Sequence, residues 1–76
     1  MNSKQFGEFA MTVLSERKGK KNALSPLQIN DEFYRRTKDR MEDTTARQTM
    51  TKLNQEKLVK RHQPGHSKST FYYWID

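Results

Sequence analysis

Phe6, Phe9, Ala10, Val13 and Leu14 recur at i, i+3, i+4, i+7 and i+8 near the start of the chain. That spacing places them on one stripe of an α-helix and predicts a helix over about 3–18. Ser3 is a candidate N-cap and Gly19 a candidate stop. The stripe reads as core, because the opposite face, with Thr12 and Glu16, is not basic enough for a lipid surface. Further on, Ser25-Pro26 is a helix start: serine accepts from unpaired backbone N–H groups, and proline at the first position gives up no hydrogen bond. A second helix over about 26–38 follows, with Leu27, Ile29, Phe33 and Tyr34 as its buried side. Asp31 with Arg35 and Glu32 with Arg36 are acid-before-base pairs four apart. They make the two arginines paired surface charges rather than ligand contacts. Ala23 and Leu24, just ahead, form a candidate short strand.

The periodicity breaks at 38–45 and resumes with Ala46, Met50 and Leu53, a narrow stripe. It predicts a third helix over about 44–55, capped by Asp43 or Thr44. The chain then changes character. Leu58 to His62 and Thr70 to Ile75 read as two strands of a hairpin over about 58–75, the second rich in β-branched and aromatic residues. Pro64-Gly65 suits the centre of a type II turn. Leu58 and two or three of Phe71, Tyr73, Trp74 and Ile75 are expected to close the core, with Tyr72 pointing outward. The prediction is an α+β, mainly α, single domain: three helices, then a two-stranded hairpin.

Composition narrows the function. Of 76 residues, 32% are hydrophobic and 32% charged, so the core is small. There is no cysteine, hence no disulfide framework and no thiolate ligand or nucleophile. No apolar run approaches the about 18 residues that span a bilayer, and no charged-then-apolar leader opens the chain; the expectation is cytoplasmic, with no membrane partner. The net charge of +6 and pI near 9.8 point to an acidic partner, nucleic acid first. The third helix sharpens this. Opposite its apolar stripe stand Thr44, Thr45, Arg47, Gln48, Thr51 and Lys52, with no acid after Asp43. A merely solvated helix scatters Glu among its Lys. Thr, Gln and Arg are side chains that bond base edges and phosphates in a major groove. Lys60, Arg61, His62, His66 and Lys68 make the hairpin basic, and no acid lies between Lys57 and Asp76. The link Arg17 to Lys21 is either a solvated loop or a phosphate contact.

From Met41 to Arg61 the chain resembles the winged helix-turn-helix family. KLNQEKLVKR resembles that family's passage from recognition helix into first wing strand, with Lys57 at a position where glycine is common. Lysine there costs about 1 kcal/mol if the backbone is left-handed. The segment from Ser25 to Met41 is longer than the compact helix-turn-helix and lacks the usual turn glycine. The resemblance implies double-stranded DNA as partner and a small transcriptional regulator of bacterial, phage or plasmid type. The third helix would enter the major groove, with Thr44, Thr45, Arg47 and Gln48 as base readers and Thr51 and Lys52 on the phosphates. Lys60, Arg61, His66 and Lys68 would be wing contacts. A homodimer or another DNA-bound protein would supply further surface. The winged domains that bind left-handed nucleic acid differ: Arg47 and Thr51 stand where their Asn and Tyr belong. A second reading keeps the fold but gives it an acidic protein as partner; that reading calls for an exposed apolar patch on the third helix or wing, and the sequence suggests none.

An enzyme is not expected. His62 and His66 are the only histidines, no cysteine joins them, and Gly7, Gly19 and Gly65 are isolated, so neither a metal centre nor a phosphate-cradling loop is written here. No cofactor is implied.

Overall fold

The structure, a computed structural model, describes residues 2–65 and 69–76. Three helices come first: α1 (Ser3–Glu16), α2 (Pro26–Thr37) and α3 (Asp43–Gln55). A two-stranded antiparallel sheet follows, β1 (Lys60–His62) with β2 (Tyr72–Trp74), in the register Lys60↔Trp74, Arg61↔Tyr73 and His62↔Tyr72. The predicted class, α+β and mainly α, is therefore the observed one. The candidate strand at Ala23-Leu24 is present as an antiparallel bridge: Leu24 and Tyr73 exchange backbone hydrogen bonds of 2.9 and 2.8 Å. It puts β2 between Leu24 and β1.

Several predicted boundaries move, each for a local reason. Asn2, not Ser3, caps α1. Gln5 lies three residues after Asn2, so the two side chains and backbones cap each other reciprocally, at 2.9 and 3.2 Å. Ser3 has Phe6 at that offset, which offers no side-chain acceptor. The helix ends at Glu16, ahead of Gly19, whose φ of +102° instead opens a single 3-10 turn over Lys20–Asn22. Ser25 caps α2 as expected, completed by Gln28, and the helix ends at Thr37 with Lys38 in the left-handed region at φ 62°. In α3 neither Asp43 nor Thr44 is the cap. Glu42 holds that position without a side-chain bond. The carboxylate of Asp43 turns instead toward Asn30, within the first turn, where a negative charge complements the helix dipole.

The core joins all the elements. Phe6, Ala10 and Leu14 of α1 meet Ile29 and Phe33 of α2, Ala46 and Met50 of α3, and Val59 and Tyr73 of the hairpin. Phe33 is met edge-on by Phe6 and Phe9, at ring separations of 5.6 and 4.9 Å. Each fully buried apolar side chain of this size contributes roughly 1.5–3 kcal/mol. Three expected core members lie outside it: Leu27, Tyr34 and Leu58 are exposed, the last at 51%. Tyr73 is the fully buried aromatic of the hairpin, with Phe71 and Ile75 packed beside the core. Trp74 points to the other face of the sheet.

One buried polar group ties α2 to α3. The Asn30 side chain is fully inaccessible; its Oδ1 accepts from the Met41 N–H at 3.0 Å and its Nδ2 donates to the Met41 carbonyl at 2.7 Å. This satisfies both backbone groups of the buried residue in the inter-helix turn. At the surface, Arg36 makes a two-pronged pair with Glu16, at 2.6 and 2.8 Å, and a third bond to Glu32. Glu32 also accepts from Arg35, while Asp31 pairs with Arg40 at 2.7 Å and not with Arg35. The turn after α2 brings Arg40 back over Asp31.

Two outcomes follow. Asn30→Ala leaves the Met41 N–H and C=O buried without partners and should lower stability by about 2–3 kcal/mol. For a domain of this size that is a fall in Tm of roughly 10 °C or more; an unchanged melting curve by circular dichroism would show that the bridge is dispensable. The Arg36 hydrogen bond and charge hold Glu16 below its ordinary pKa of 4.5, and Arg35 and Arg36 do the same for Glu32. A carboxylate with a depressed folded pKa contributes stability above its unfolded value and loses it as pH falls through the folded one. Stability should thus decline as pH drops below about 4.5, and Arg36→Gln should flatten that acid limb; parallel limbs in denaturant melts between pH 7 and 3 would refute the linkage.

Candidate nucleic-acid interface

Thirteen residues of α3 place their side chains around the axis at 100° steps. Ala46 and Met50 are buried and Leu53 is half-buried. Thr44 and Gln48 therefore occupy the outermost line, and both are exposed. The remaining candidates divide between the two flanks. Arg47, exposed, and Thr51, half-buried, line a groove of about 220 Å³ with Leu27, Ser69, Thr70 and Phe71. Lys52, exposed, lines the opposite groove with Gly7 and Met11 of α1. Half-buried Thr45 lies on that flank too, its carbonyl accepting from the Thr49 hydroxyl at 2.8 Å. Among the described residues neither Arg47 nor Lys52 takes part in an ion pair. The helix thus presents polar side chains and unpaired positive charge together.

The turn from α3 into the hairpin fixes where the second set of candidates lies. Lys57 has φ 63°, the left-handed conformation expected of it. The Leu58 N–H donates to the Leu53 carbonyl at 3.0 Å, and the Lys57 N–H to the Asn54 carbonyl at 2.9 Å. This pair of bonds is a Schellman cap. Such a cap brings its last residue against the helix's final apolar position, which is why Leu58 sits with Leu53 at the rim of the α1–α3 groove and not in the core. Val59, one residue later, is 3% exposed and enters the core in its place. Asn54 Nδ2 donates to the Val59 carbonyl at 3.0 Å and steadies the start of β1.

The described basic residues of the hairpin are not free. Lys60 pairs with Asp76, whose carboxyl it holds below its ordinary value of 3.8 through that hydrogen bond. Arg61, half-buried on the inner face opposite Tyr73, lies 4.1 Å from the Phe71 ring centre. Phe71 also lines the groove of Arg47 and Thr51, whereas Arg61 itself borders a different one, with Lys57, Lys60 and Trp74. His66 and Lys68 lie outside the described residues. Gly65 does not take a positive φ, so the type II turn expected at Pro64-Gly65 is not formed. In the 17–21 link, Lys20 lies 6.0 Å over the Trp74 ring, on the side of the sheet away from the core.

Sequence reasoning missed two surfaces. The α1–α3 groove, about 400 Å³, exposes Met11, Leu53 and Leu58 between Lys4, Glu8, Lys52 and Glu56. The outer face of the hairpin carries His62 and Trp74 beside Tyr72, the one of the three expected to point outward. The expectation that neither α3 nor the wing shows apolar surface is corrected by both. The first arises from a cap motif at Lys57 that the periodicity does not encode. The second was readable from the alternation Tyr72-Tyr73-Trp74 once Tyr73 is assigned to the core.

Lys57→Gly should raise stability by about 1 kcal/mol, because glycine occupies the left-handed region without a Cβ penalty. A Tm higher by roughly 4–8 °C in calorimetry is the expected outcome; a lower Tm would mean the lysine side chain itself braces the turn. Among the described residues no helix is long and apolar enough to cross a membrane, and no three His, Cys, Asp or Glu side chains gather as metal ligands. Comparison with known proteins matched no family model, no curated protein and no solved structure.

Proposed function

We propose that this chain binds double-stranded DNA as a winged helix, with α3 in the major groove and the hairpin as the wing, and acts as a small transcriptional regulator. The observation that carries the reading is the exposed line and inner flank of α3, where Thr44, Gln48, Thr51 and an unpaired Arg47 stand together without a carboxylate after Asp43. Arg offers two donors to guanine and Gln a donor and acceptor to adenine, so Arg47 and Gln48 are the base readers, with Thr44 beside Gln48 on the outermost line and Thr45 on the Lys52 flank. Lys52 reaches a phosphate strand from the other flank. Support for the wing comes from the sheet order, in which a short segment before α2 pairs with the last strand. Arg61, stacked on Phe71, would face the same duplex. His66 and Lys68 belong to the same proposal.

A protein-interaction role remains the second reading. What favours it is the apolar groove between α1 and α3, where Leu58 is half exposed. Its rim carries Lys4 and Lys52 against Glu8 and Glu56, so a second copy of this chain fits it as well as an acidic partner does.

Fluorescence anisotropy of a labelled duplex of about 20 base pairs, titrated at several salt concentrations, separates these readings. Wild type should bind with affinity falling steeply as salt rises, and Lys52→Ala should reduce the slope of log K against log salt by about 0.9 for one lost phosphate contact. Arg47→Ala/Gln48→Ala should lose preference among selected sequences by about 1–3 kcal/mol per base contact. Absence of binding at low salt by a folded protein would remove the DNA reading.

A further inference from the structure

We propose that the outer face of the hairpin is a separate binding site for single-stranded nucleic acid, built as an aromatic platform edged with lysines. The strand register creates it. Tyr73 and Arg61 face the helices, so the alternating partners Lys60, His62, Tyr72 and Trp74 must face away from them. His62 lies between the two larger rings, 5.5 Å from Trp74 and 6.1 Å from Tyr72. All three are half-exposed, and none belongs to the core cluster. In a chain with so few apolar residues, two large aromatic side chains have been left on a solvent face.

The charge around them is positive. Lys20 stands 6.0 Å over Trp74, and Lys57 lines a shallow groove with the same ring, together with Arg61 and the Asp76-paired Lys60. No acidic residue occurs from Leu58 to Ile75. The nearby carboxylate of Asp76 is taken up by Lys60 and by the Trp74 indole N–H, which donates to it at 3.3 Å. Aromatic faces flanked by cations match a ligand that offers flat rings and phosphates along one strand. Bases in a duplex are already stacked on each other and cannot lie on such a platform, whereas unpaired bases can. An acidic peptide would satisfy the lysines but give the rings nothing to stack on. The three rings lie on the side of the sheet away from Tyr73, and none of them lines the groove that Arg47 and Thr51 border, so their stacking does not depend on the duplex reading above.

Trp74 is the only tryptophan in the chain, so its fluorescence reports this face directly. The full chain is titrated with three probes: an oligothymidylate of about 12 nucleotides, within the usual site size, an abasic oligomer of equal length, and poly-glutamate. Oligothymidylate should quench Trp74 and bind at least about ten-fold tighter than the other two, as loss of stacking predicts. Tyr72→Ala, checked for fold by circular dichroism, should bind about ten-fold more weakly, and Tyr72→Phe should restore the affinity. Arg47→Ala/Gln48→Ala should leave this binding unchanged. No quenching, or equal binding of the abasic oligomer, would overturn the proposal. So would equal binding of poly-glutamate, which would make the face a site for an acidic protein, or loss of binding in the α3 variant.

Discussion

The amide of Asn30 holds the two helices of the candidate interface in a fixed relation. The turn from Lys38 to Glu42 has no glycine, yet Met41 within it is buried. A buried backbone unit without partners is costly, and only a side chain with both a donor and an acceptor can satisfy its N–H and C=O together. Asn30 does so from α2, and the same amide lies 3.4 Å from Asp43 at the start of α3. Where α3 begins, and therefore which of its side chains reach outward, depends on this one residue. The junction is ordered without a glycine because Met41 is fastened through both its backbone groups.

Much of the architecture was legible because it rests on periodicity. Phe6, Ala10 and Leu14, Ile29 and Phe33, and Ala46 and Met50 are core members that spacing alone selects. Ser25-Pro26 announced its helix through cap chemistry, and the left-handed Lys57 was implied by the resemblance of KLNQEKLVKR to a passage in which glycine is common at that position. What escaped was decided by side chains that act over a distance in sequence. Asp43 is drawn to Asn30 and so does not cap its own helix. Leu58 is held at the helix end by the Schellman bonds, leaving the core to Val59. Trp74 looked like core by size and lies outside by register. For the candidate site, residue types were legible but their grouping was not: Arg47 and Thr51 share a groove with β2, while Lys52 shares one with α1.

The net positive charge is unevenly distributed for a structural reason. Glu16, Glu32 and Asp31 are paired with Arg35, Arg36 and Arg40 along the α1–α2 side. These exposed pairs add little stability individually. Their effect is to neutralise the arginines there, so that the excess cations lie on α3, the 17–21 link and the hairpin. A polyanion approaching the molecule would be attracted to those surfaces and not to the arginine-rich helix α2.

The two hydrogen bonds between Leu24 and Tyr73 bear on how the chain tolerates change in length. They close a loop that contains all of α2 and α3. The entropy of closing such a loop grows only with the logarithm of its length, about 0.6 kcal/mol for a doubling. A few residues more or fewer between α2 and α3 alter that term hardly at all. Insertion in this turn is therefore limited by whether its buried backbone finds partners, and the clasp at Leu24 makes the spacing itself nearly free to vary.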